Sequence, residues 1–148
     1  MNDDPRPLTT GATSAAAYRA GVADLVAGRR EAANAAFARS VRDDPGFVLG
    51  RCALAVAGGD GDAPAAVAVP RARALARWER QHLTVVRLVL DHGCDRAAAL
   101  AREHLAEYPD DAVVRFAVTQ HCADVDDLVA GYGTTDIGAA APRSNASA

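Results

Sequence analysis

Two stretches 64 residues apart show one pattern of spacing, opening on alanine and closing on proline: Ala33, Phe37, Ser40, Val41 and Pro45 in the first, Ala97, Ala101, His104, Leu105 and Pro109 in the second. Gly28 precedes the first stretch and, within one position of the same offset, Gly93 precedes the second. Spacings of three and four within each set put the side chains on one face of a helix, and a glycine before and a proline after delimit that helix. Composition agrees with helices that pack closely. Alanine supplies 36 of the 74 apolar residues and aromatics only 7, so methyl groups are plentiful and bulky core fillers scarce. That balance excludes a β sandwich, which needs β-branched and aromatic residues at alternating positions.

The repeat organises the chain. Residues 1–12 are polar, carry Pro5, Pro7 and Gly11, and are expected to form a disordered arm. A first helix opens near Thr13 or Ser14, either of which can cap it, and buries Tyr18, Val22, Leu25 and Val26. Gly28 ends it at positive φ, and a second helix runs from Arg30 to Asp43. Three units of antiparallel hairpins follow from the spacing, at about 14–45, 46–77 and 78–109, with capping helices over 110–132 and a disordered tail over 133–148. Cys52 and Leu54 lie on the middle unit's first helix, GGDGDAP at 58–64 is its loop, and Pro70 delays or kinks its second. The third unit runs from Trp78 to His92 and from Asp95 to Tyr108. A helix over about Asp110–His121 follows, then a short one capped by Asp124 that runs to Tyr132.

Half of the 64-residue interval is close to the 34-residue period of the tetratricopeptide repeat (TPR). Gly21, Ala33, Phe37, Ser40 and Pro45 resemble the TPR signature, in which small residues let paired helices cross closely. Val85 and His104 depart from it in the third unit, whose helices should sit further apart. At a finer level DDPGFVLG (43–50), WERQH (78–82) and EHLAEYPDDAVVRF (103–116) resemble the N-terminal part of the tetratricopeptide repeat protein 38 family, including a P-x-D matched by Pro109 and Asp111. The resemblance implies an all-α, right-handed TPR-like superhelix without an established reaction. Members of that family continue beyond this chain's end, so a truncated relative is one reading. TPR geometry points Tyr18, Val22, Leu25, Arg51, Leu54, Glu79, His82 and Val86 into a groove lined by the first helix of each hairpin. A noncatalytic module that binds a peptide or partner protein there is the expected function. The alternatives are a fragment whose enzymatic or metal site is incomplete around Glu79 and His82, and a regulatory domain working beside a DNA-binding module.

Charge and motifs narrow the classes further. All 16 basic residues are arginine and the net charge is −3, which disfavours nonspecific nucleic-acid binding. No apolar run is long enough for a bilayer, and the acidic, proline-bearing start is unlike a secretory signal, so a cytoplasmic protein is expected. Cys52, Cys94 and Cys122 read as three reduced thiols. No HExxH, GxSxG, GxxxxGK[ST] or GxGxxG stretch occurs. Neither His92 with Cys94 nor His121 with Cys122 has zinc-ligand spacing, so no cofactor and no metal are expected. Glu79 and His82, three apart, can pair on one helix face. Arg71, Arg73, Arg77 and Arg80 form the densest basic patch, either a grip for an acidic peptide or a solvated face. Val113, Val114, Phe116 and Val118 are too apolar for a solvent-facing cap, which predicts self-association through the C-terminal helices or marginal stability.

Overall fold

The computed structural model describes residues 6–58 and 74–122. Within them lie six helices: α1 (Ala12–Val26), α2 (Arg30–Asp43), α3 (Val48–Gly58), α4 (Arg77–Leu90), α5 (Cys94–Glu107) and α6 (Ala112–His121), with no strand among the described residues. The expected second helix of the middle unit, Arg71 and Arg73, the helix at Asp124 and the tail lie outside the described residues.

Two hairpins, α1–α2 and α4–α5, turn in the same way. After α1, Gly28 takes φ +79° while its N–H donates to Leu25 O and the Arg29 N–H to Asp24 O. This is the closing pattern that leaves one residue left-handed past a helix end. After α4 the His92 N–H donates to Val89 O and the Gly93 N–H to Leu88 O, with His92 at φ 61°. The left-handed position is therefore His92, 64 residues after Gly28, rather than the neighbouring Gly93. Histidine holds there a conformation that glycine adopts without a Cβ penalty.

Small residues set how closely the first pair approaches. A Cβ on Gly21 would lie 2.5 Å from Phe37 Cε1, so the ring of α2 packs directly on the backbone of α1. Ser14, a candidate cap by sequence, is buried and donates to Ser40 O at 2.7 Å, while Gly11 occupies the capping position without a side-chain bond. Tyr18, Phe37 and Phe47 meet around this crossing, with centroids 5.7 Å (Tyr18–Phe37) and 5.3 Å (Tyr18–Phe47) apart. They open the core that Leu49, Val86 and Leu105 continue.

Three expectations are corrected. Residues 6–11 do not fray: Thr9 bonds to Glu79, Thr10 to Asp44, and the Arg6 guanidinium lies 4.6 Å over Trp78 and 2.7 Å from Asp110. This segment has fixed polar partners instead of an apolar stripe, so hydrophobic periodicity does not register it. The apolar face of α6 is not a bare end cap, because Val113, Val114, Ala117 and Val118 are buried and α6 packs on α1, α3, α4 and α5. Finally, Cys94 and Cys122 form a disulfide, with Cα atoms 5.5 Å apart, which leaves Cys52 as the free, buried thiol. The fold brings together two cysteines whose 28-residue separation gave no pairing signal. No helix of the described residues is long and apolar enough to cross a membrane.

Gly21→Ala should cost about 1–3 kcal/mol by overpacking against Phe37. His92→Gly should gain about 1 kcal/mol by relieving the left-handed turn. Chemical denaturation of the two variants checks both signs.

Candidate functional site

The polar interior gathers where α4, α5 and the start of α6 meet. Glu79, in the first turn of α4, is 1 % exposed. Its carboxylate accepts the Ala76 N–H at 3.0 Å, the Thr9 N–H at 3.0 Å and the Thr9 hydroxyl. A carboxylate in the first turn of a helix meets unpaired N–H groups and the positive end of the helix dipole, which stabilises it there. The expected Glu79–His82 pairing is not made. Glu79 is used to fasten the N-terminal segment, and His82, one turn further, faces Asp111.

Asp111 links the remaining polar groups. Its Oδ1 accepts the Val114 N–H at 3.2 Å and so caps α6. Its Oδ2 lies 2.7 Å from His82 Nδ1 and 2.7 Å from His104 Nε2. On the far side of the second ring, His104 Nδ1 lies 2.9 Å from Gln81 Oε1. His82, His104 and Asp111 are 0 %, 2 % and 5 % exposed. Burial by itself pushes the Asp111 carboxyl up, but the charge of His82 and the hydrogen bonds from both rings outweigh it and hold it well below the usual carboxylate range. Burial pushes the Cys52 thiol up, with the Asp111 charge adding to it, so this free thiol is kept protonated and is a poor nucleophile.

The eight groove residues read from the sequence do not form one open wall. Tyr18, Glu79, His82 and Val86 are buried, while Val22, Leu25, Arg51 and Leu54 are partly covered. The physical reason is α6, which packs on α1, α3 and α4, the three helices expected to line that wall. The groove residues separate into different surroundings. Tyr18 and Val22 border a cavity of about 150 Å³ beside Leu8, Trp78 and Asp111. Leu25 lies in another of about 330 Å³ with Val26 and Phe116. Of the basic patch, Arg77 pairs with Glu107 at 2.6 Å and Arg80 donates to Leu75 O, so both are engaged within the chain.

His104 and Asp111 were missed as site residues. The sequence did mark them indirectly: His104 stands where a small residue belongs at a helix crossing, and Asp111 directly precedes an apolar helical run. A polar group at a crossing position must find a buried partner, and that rule could have drawn the two together. The His92/Cys94 and His121/Cys122 pairs assemble no ligand set, because both cysteines are in the disulfide and His121 Nε2 lies 3.0 Å from Val56 O. No family model, no curated protein and no solved structure matches this chain.

Asp111→Ala should cost about 3–5 kcal/mol, because it strips a buried charge from its partners; Asp110→Ala, on an exposed side chain, should cost less than 1 kcal/mol. A carboxyl held low in the folded state stabilises fully above its unfolded value of about 4 and loses that contribution as pH falls through its folded value. The stability difference between wild type and Asp111→Ala should therefore shrink below about pH 4, as measured by denaturant titration across the acid range.

Proposed function

We propose that the chain is a noncatalytic, TPR-like interaction module that takes an apolar segment of a partner protein between the C-terminal end of α1 and α6. The observation that carries this reading is the surface around Val26, which is 72 % exposed and adjoins Leu25 and Phe116 in the cavity of about 330 Å³. Large aliphatic side chains on a rigid helical surface favour contact with another apolar group. Arg115 lines the same cavity and the Arg30 guanidinium lies 5.4 Å over the Phe116 ring, and both donate within the chain, to Pro109 O and Ala57 O.

The repeat character of this reading rests on the two similarly closed hairpins and on the small residue at the α1–α2 crossing. The contact between α1 and α6 covers the wall that an open row of hairpins would present, which is why the proposed docking surface is the seam between these two helices.

The test compares wild type, Val26→Asp and Arg102→Ala, the last on an exposed position of α5 outside the groove. Binding partners recovered by wild type and Arg102→Ala should bind Val26→Asp at least about tenfold more weakly, the loss expected when a central apolar contact is replaced by a charge. Equal affinity for all three chains overturns the proposal.

A further inference from the structure

We infer that His82, His104 and Asp111 form a site for one divalent transition-metal ion of the zinc class, bound by His82 Nδ1, His104 Nε2 and Asp111 Oδ2. The inference does not depend on the docking surface. It begins with the hydrogens. Gln81 Oε1 and Asp111 Oδ2 both act as acceptors, and they face opposite nitrogens of the same His104 ring at 2.9 and 2.7 Å. Without a metal, His104 Nε2 donates a hydrogen to that carboxylate oxygen, and a bound cation would take the place of this hydrogen. Two lone pairs at that distance need a proton or a cation between them. The same oxygen also faces His82 Nδ1 at 2.7 Å, so a single cation can answer all three atoms.

Charge balance admits a divalent cation in place of the ring protons. Two carboxylates are buried in this region, Asp111 and Glu79, and Glu79 is met by neutral donors, Thr9 and Ala76. A doubly charged ion between two neutral imidazoles balances the two negative charges as two imidazolium rings would, and uncompensated charge is costly away from water.

The donor set and its supports agree. Two imidazole nitrogens with one carboxylate oxygen are ligands for zinc and its neighbours rather than for calcium or magnesium. The three ligand atoms all lie within 4.8 Å of one another, and two of the separations are 2.7 Å. Ligands of a tetrahedral ion with bonds of about 2.0–2.1 Å lie about 3.3 Å apart, so each of the two 2.7 Å separations would open by about 0.6 Å on binding. Two of the three ligands have outer partners, Gln81 on the other nitrogen of His104 and the Val114 N–H on the second Asp111 oxygen, whereas His82 Nε2 is buried without one. Access is available from two sides. His104 and Gln81 border a cavity of about 240 Å³, and Asp111 borders the one of about 150 Å³. A water molecule from either can complete a fourth position.

The probes are Co²⁺ and Zn²⁺ added to chelator-treated full-length protein. Expected are one equivalent of Co²⁺ with the visible absorption of a tetrahedral complex, its displacement by Zn²⁺, and a rise in the thermal midpoint with metal concentration. Gln81→Leu, which leaves all three ligands in place, should weaken Zn²⁺ binding by about 10–100-fold, and His92→Ala combined with His121→Ala should leave it unchanged. Imidazole ¹⁵N resonances of the wild-type chain identify the ligating atoms without any core substitution. Metal-dependent shifts at His104 Nε2 and His82 Nδ1 support the site. Shifts confined to His92 and His121, or the absence of stoichiometric binding at micromolar metal, overturn it.

Discussion

One carboxylate holds three helices in register. Asp111 starts α6 through one oxygen and fastens α4 and α5 through the other, since His82 belongs to α4 and His104 to α5. Such an arrangement is expensive to bury and specific once formed, because each group that loses its partner is left polar in a dry interior. Its geometry fixes the direction in which α6 leaves the second hairpin. That direction carries α6 back across α3 to α1, so the last described helix touches the first.

The far end of α6 is held by different chemistry. Cys122, immediately after the helix, is bonded to Cys94 at the start of α5, and His121 Nε2 reaches Val56 O on α3. A ten-residue helix with valine at 113, 114 and 118 is too short, and too rich in β-branched residues, to be stable alone. Fixed ends and a buried valine face together replace the intrinsic stability that it lacks. Its apolar surface, which in sequence resembles an unfinished repeat end, is thereby covered within the chain.

Helices were legible in the sequence wherever the code is local. α2 runs from Arg30 to Asp43, as the glycine before it and the proline after it indicate, and the other helix boundaries fall within about two residues of those expected. Gly28 and Gly21 were readable because a left-handed turn and a close crossing both call for the smallest residue. What escaped is contact between distant residues of unlike type. Thr9 with Glu79, Arg6 with Asp110 and Cys94 with Cys122 leave no periodic trace, since each occurs once and each depends on how whole hairpins are placed. His104 shows the limit most clearly: as a departure from a small-residue pattern it suggested a looser crossing, but in the structure it is a buried hydrogen-bond partner of Asp111.

Closure by α6 also decides what kind of surface is left. An open row of hairpins presents a long inner wall, and its first helices would offer Tyr18, His82 and Val86 to a partner. With α6 in place those side chains become core, and at the seam between α1 and α6 Leu25, Val26 and Phe116 stay accessible, as does Leu100 on α5 away from it. One wall of that seam is α6, restrained at both ends, and the other is the last turns of α1, secured by the Gly28 turn and the packing of Phe37 on Gly21. A groove with two restrained walls loses little conformational freedom when a partner enters, so even a small contact area can yield useful affinity.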